Sequence, residues 1–172
     1  MARLCKPGAI RRPRPRARPQ SPSLHDCRMT IDAQFEALLR IVLAGVAAGI
    51  IGLERESQDK PAGVRTFAVV GVGAAVFTLA LMQMFDGDAS RAVGQIITGV
   101  GFLGAGTIIQ VKDRVEGLTT AAGIWAVSAV GLAFGGGLYV LGIGTTVILL
   151  IAFAVIGRLL PATIRKDNSV PS

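Results

Sequence analysis

Apolar residues run along this chain in long blocks rather than in strand-like alternation, and the blocks come at membrane length. A helix crossing a bilayer needs about 20 mostly apolar residues. The first block, about 35–54, has a charge-free core of only Ile41–Leu53, roughly 20 Å of helix, so Arg40 or Glu54 must be drawn toward the hydrocarbon edge. The second, 66–85, carries no charge until Asp86 follows it. The third, 92–111, is also free of charge but holds Gln95, Thr98 and Gln110. Gly117–Gly157 is then 41 residues without a charge, and Gly135-Gly136-Gly137 breaks it into a helical hairpin, 117–134 and 137–157. The expected fold is all-α: a polytopic membrane bundle of five transmembrane helices, Gly-rich and tightly packed.

Composition sharpens this picture. Only 17% of residues are charged, against about a quarter in soluble domains, and mean hydropathy is +0.57. The net charge of +7 sits at one end: residues 1–28 hold eight Lys/Arg and one acid, residues 29–172 ten of each sign. A basic protein of this kind would suggest nucleic acid if the charge covered a folded face. Here the body is neutral and apolar, so nucleic acid is not an expected partner and membrane lipid is. Cys5, Cys27 and His25 all lie in the basic segment. That removes Cys- and His-based nucleophiles and zinc sites from the membrane region.

Residues 1–28, with Arg11-Arg12-Pro13-Arg14-Pro15-Arg16, have little to bury and read as a disordered tail. Three readings compete: a start-site artefact with Met29 as the true initiator, an arm attracted to anionic lipid, and a nucleic-acid arm. Orientation favours the first. Five spans put the termini on opposite sides of the membrane. The first and third loops and the tail 161–172 share one side with the end of the last span, and carry Arg55, Lys60, Arg65, Lys112, Arg114, Arg158, Arg165 and Lys166; the other side has only Arg91. The excess of Lys/Arg makes the first side cytoplasmic, with the N-terminus outside. The domain proper is expected over 29–160.

Helices in lipid associate where small residues let backbones approach. Gly45, Gly49 and Gly52 line the first helix, Ala68, Gly71, Ala75 and Thr78 the second, Gly94, Thr98, Gly101 and Ala105 the third, and Ala122, Ala126, Ala129 and Ala133 the fourth. Gly99, Gly104 and Gly106 add to the third, and all these glycines are expected at helix contacts.

Among the polar groups, Glu54 and Arg65 each abut an apolar span and are expected to meet across the short turn, with Arg55 beside them. Asp88 reads as the N-cap of the third helix, which Arg91 starts. Asp86 and Asp88 could instead share a hydrated Mg²⁺, though no firm metal site is expected. Gln95, Thr119, Thr120 and Trp125 are expected to make polar contacts between helices. No carboxylate falls at mid-membrane, which weighs against an ion-coupled transporter.

Three segments carry a family resemblance. Gly52-Leu53-Glu54-Arg55 with Ala62-Gly63-Val64-Arg65-Thr66 resembles the first signature of the MgtC/SapB membrane proteins. Asp88-Ala89-Ser90-Arg91, then Gln95 and Gly99-Val100-Gly101-Phe102-Leu103-Gly104-Ala105-Gly106, resembles the second. Gly117-Leu118-Thr119-Thr120-Ala121-Ala122 with Trp125 resembles the third. The resemblance implies a bacterial inner-membrane protein linked to growth under magnesium limitation and, in pathogens, to survival inside host cells. It also implies regulation of other membrane machines, including the F-type ATP synthase, with roles for Glu54, Arg65, Asp88 and Arg91. Many such proteins carry a soluble domain after the last span. Here 15 residues follow Gly157, as in the short, SapB-like form.

Three functions follow. A regulator that binds another membrane protein, or its own copy, fits the small-residue faces. A channel or carrier for Mg²⁺ or another cation would need acidic residues along a wet path, and only Glu54, Glu56, Asp86 and Asp88 qualify, all at span ends. An enzyme is not expected: Gly99-Val100-Gly101-Phe102-Leu103-Gly104 fits Gly-x-Gly-x-x-Gly formally, but inside an apolar span rather than after a strand.

Overall fold

The computed structural model describes residues 31–84, 89–112 and 114–159, the side chains of 89–92 and 156–159 aside. The expectations for segment 1–28, for Asp86 and Asp88, and for the tail 161–172 fall outside the described residues. Five helices follow one another: α1 (Ile31–Glu56), α2 (Val64–Met84), α3 (Ala89–Ala105), α4 (Leu118–Gly135) and α5 (Tyr139–Leu159). A two-stranded antiparallel hairpin, β1 (Ile109–Val111) and β2 (Arg114–Glu116), joins α3 to α4. The chain is thus a helical membrane bundle. Among the described residues α1, α2 and α4 are each long and apolar enough to cross a membrane, while α3 and α5 contribute shorter apolar stretches, Val93–Ala105 and Tyr139–Val155.

α4 is the axis of the bundle and packs against every other helix. It is apolar all the way round, which suits a helix with neighbours on all sides. Over its most apolar stretch 56% of positions are buried, against 28% in α1 and 33% in α2. Ala44, Ala48 and Ile51 of α1, Phe67 and Ala75 of α2, and Ile124, Val127, Val130 and Phe134 of α4 form the core. Gly71 lies where the three helices meet. A Cβ there would come within 2.5 Å of Ala48 Cβ, and one on Gly131 within 2.4 Å of the Gly71 carbonyl oxygen. The outward side of α1, with Leu38, Val42, Val46, Ile50 and Leu53 exposed, is a lipid-facing stripe at helical spacing.

The small-residue expectation holds for two helices and needs correction for two. Gly45 and Gly52 press on Val72 and Val64 of α2, at 2.8 and 2.6 Å from a built Cβ, and Gly49 lies in ordinary contact with Val64 and Ala68. Gly71, Ala75 and Thr78 are buried as expected. On α4 the packing face is Gly123, Gly131 and Gly135 rather than the alanine stripe, of which Ala122 and Ala129 are exposed. Glycine admits a neighbouring backbone where even a methyl group collides: at Gly135 a Cβ would meet the Ala75 carbonyl at 2.8 Å. On α3 only Gly104 packs against another helix, at Ala121. Gly94, Gly99 and Gly101 face open space, and Gly106 meets only its own preceding turn.

The third span ends earlier than its hydropathy suggests, at Ala105 rather than Val111. The backbone closes with Gly106 N–H to Phe102 O and Thr107 N–H to Gly104 O, and the Thr107 hydroxyl also donates to Gly104 O at 2.8 Å. Hydropathy reads Ile108, Ile109 and Val111 as membrane, but β-branched residues after two glycines prefer extended backbone. Lys112, at φ 53, opens the hairpin turn. Gly117, at φ 89, ends it; a Cβ there would fall 1.9 Å from Thr107 O. The glycine triplet between α4 and α5 does break the long apolar run. Gly136 and Gly137 N–H groups donate to Leu132 O and Phe134 O, and α5 starts at Tyr139.

Candidate functional site

Chain order places the end of α1, the start of α2, the β-hairpin, the start of α4 and the end of α5 at one end of the bundle. Arg55, in the last turn of α1, is its centre. Only 2% of this side chain is exposed. Its guanidinium lies 4.6 Å from the centroid of the Phe153 ring on α5, and Nη2 donates to Thr120 Oγ1 on α4 at 3.4 Å. Nε is buried with no acceptor. A guanidinium over an aromatic face gains cation–π attraction that grows as water is excluded.

The residues around Arg55 lock the α1–α2 turn. Lys60 N–H and Gln58 N–H both return to the Arg55 carbonyl at 3.2 Å, with Asp59 in the left-handed region at φ 53. Gln58 Nε2 donates to Glu54 Oε1 at 2.9 Å and reaches the Phe153 carbonyl at 3.4 Å. Glu56 Oε2 accepts the Val64 backbone N–H at 2.9 Å, so a carboxylate from α1 caps the first turn of α2. The buried Ala62 completes the turn.

The first and third sequence signatures therefore meet at Arg55 and Thr120, while the expected Glu54–Arg65 pair does not form. Glu54 is taken up by Gln58 one helical turn away, and Arg65 is exposed on α2 with no ion-pair partner among the described residues. Among the described residues the ion pair is instead Glu36–Arg40, one turn apart on α1. Thr119 and Gln95 are exposed, and Trp125 is 52% exposed, so they do not form the expected polar helix contacts. Arg91 lies in the first turn of α3. Among the described residues no three His, Cys, Asp or Glu come together as a metal cluster would require.

Arg40 was visible in the sequence only as a charge near the edge of the first span. In the structure it mirrors Arg55 at the opposite end. Nη1 donates to the Gly135 carbonyl at 3.3 Å, the guanidinium sits 5.9 Å from the Tyr139 ring centroid, and it fills the space beside Gly137. Each arginine of α1 thus grips one end of the α4–α5 hairpin through a polar acceptor on α4 and an aromatic ring on α5. Fifteen positions apart on one helix, they stand about 22 Å from each other.

The MgtC family profile matches residues 41–160, which includes Arg55, Thr120 and Phe153. YhiD of Escherichia coli K12, described as a candidate magnesium transporter, is 40% identical over 133 residues, 72% of this chain and 62% of YhiD. MgtC of Salmonella typhimurium 14028s is 38% identical over 137 residues, 80% of this chain and 58% of that protein. SrpB of Synechococcus elongatus is 43% identical over 123 residues, 62% of this chain and 67% of SrpB. The chain spans less than two thirds of the length of YhiD and MgtC. No solved structure matches it. With the profile covering most of the chain and the first and third motifs meeting at one buried arginine, the protein belongs to the MgtC family.

Proposed function

We propose that this chain is an inner-membrane regulator that takes part in adaptation to magnesium limitation by docking on another membrane complex, such as the F-type ATP synthase. In this reading the Arg55 end faces the cytoplasm and the N-terminus lies outside. The observation that carries it is the open face of α3: this helix lies mainly against α4, with Gly94, Gly99 and Gly101 uncovered and Phe102 80% exposed. Uncovered glycines leave room for the close backbone approach by which membrane helices associate. The role is one of binding, without chemistry on a substrate.

The name given to YhiD favours a second reading, a carrier or channel for Mg²⁺. Against it, among the described residues the buried polar atoms left unpaired at the two ends of the bundle belong to the guanidiniums of Arg40 and Arg55, which repel a divalent cation. One pair of measurements separates the readings. The full chain with Gly101→Leu should fold normally yet stop co-purifying with the ATP synthase from native membranes. Proteoliposomes of the wild type should show no Mg²⁺ entry above empty liposomes. Flux together with undiminished capture by the variant would replace regulation with transport.

A further inference from the structure

A buried guanidinium with a single long hydrogen bond is an incomplete arrangement. Arginine presents five N–H donors in a fixed fork. Among the described residues Arg55 has one acceptor, Thr120 Oγ1 at 3.4 Å, and a ring face, while Nε is buried without a partner. Leaving a buried charge underpaired is costly, and such groups are ordinarily matched by an anion. The neighbouring carboxylates do not hydrogen-bond the guanidinium: the charge of Glu54 acts on Arg55, but Glu54 accepts from Gln58, and Glu56 accepts from Val64 N–H. Arg40, whose Nε is also buried without a partner, differs in having its own carboxylate in Glu36.

We propose that Arg55 anchors a phosphate-binding site at this end of the bundle, bounded by Thr120 of α4 and Phe153 of α5. The guanidinium fork matches the oxygens of a phosphate group, which would take the Nε donor and one terminal nitrogen together. The Thr120 hydroxyl can turn to donate to the same group. Position specifies the setting: Arg55 is in the last turn of a membrane-spanning helix, at the depth of lipid headgroups. The same chemistry is offered by the headgroup of an acidic phospholipid and by free phosphate. The site is independent of whether the protein regulates or conducts.

The test is thermal unfolding of the full chain in neutral detergent. Phosphatidylglycerol should raise the midpoint by about 5 °C, as expected for a ligand well above its dissociation constant. Diacylglycerol with the same chains but no phosphate should give no shift. Inorganic phosphate acting as well as the lipid assigns a soluble ligand; the lipid acting alone assigns the headgroup. Arg55→Gln should abolish the shift, and Arg55→Lys, which keeps the charge but loses the fork, should lose at least half of it. Arg114→Gln, an exposed arginine at the same end, should keep all of it. Should Arg55→Gln fail to fold, Arg55→Lys decides. No shift with either ligand in the wild type, or a full shift in Arg55→Lys, overturns the proposal.

Discussion

α3 and α4 are both rich in glycine, yet the two helices use it in opposite ways. On α4 each of Gly123, Gly131 and Gly135 lies so close to a neighbour that a methyl group would strike it at 3.0 Å or less. On α3 the same test at Gly94, Gly99 and Gly101 meets nothing. Glycine content alone therefore says nothing about where a helix sits. α4 spends its small residues inside the bundle, and α3, Gly104 apart, keeps its small residues on the outside, where no described residue fills the gaps. The contrast separates what holds this protein together from what it offers to others.

The largest expected effect comes from moving the same bulk between the two. Gly131→Val drives side-chain atoms into the Gly71 backbone and should cost about 3 kcal/mol, read as an early unfolding midpoint in detergent. Gly101→Val should unfold within about 0.5 kcal/mol of the wild type, because nothing stands in its way. Equal midpoints for the two variants would erase the distinction between the helices. Next in size is Glu56→Ala, which removes the cap from α2 and should lose about 1 kcal/mol by the same measurement. Smallest is Arg65→Gln. Exposed and without an ion pair among the described residues, Arg65 should tolerate the change to within about 0.5 kcal/mol, and a larger loss would restore the pairing with Glu54 that the structure lacks.

Five helices were legible in the sequence because hydropathy reports burial in lipid directly, and the glycine triplet marked the one break inside a charge-free run. Hydropathy is blind to backbone conformation, which is why β1 was absorbed into the third span. The site was legible as a neighbourhood rather than as contacts. Glu54, Arg55, Arg65 and Thr120 were all singled out, but charge attraction nominated Glu54–Arg65, and the fold chose Arg55–Thr120 across three intervening helical boundaries. Local competition decided it: Gln58, one turn from Glu54, reaches its carboxylate first. Gly131 and Gly135 carried a usable signal, four residues apart on one helix face, that the alanines beside them obscured. Arg40 gave none, since its acceptor is a backbone carbonyl 95 residues away.

The two arginines of α1 also set the order in which the protein can be completed during synthesis. α1 emerges from the ribosome long before Gly135, Thr120, Tyr139 and Phe153, which supply the acceptors and rings for Arg40 and Arg55. Until α4 and α5 enter the bilayer, α1 must hold both guanidiniums near water or headgroups at its two ends, which long side chains can do by reaching outward. Arrival of the last hairpin then draws them inward and closes the bundle. A nascent chain arrested after α3 leaves Arg40 with Glu36 alone and Arg55 without the hydroxyl and ring that enclose it in the finished bundle.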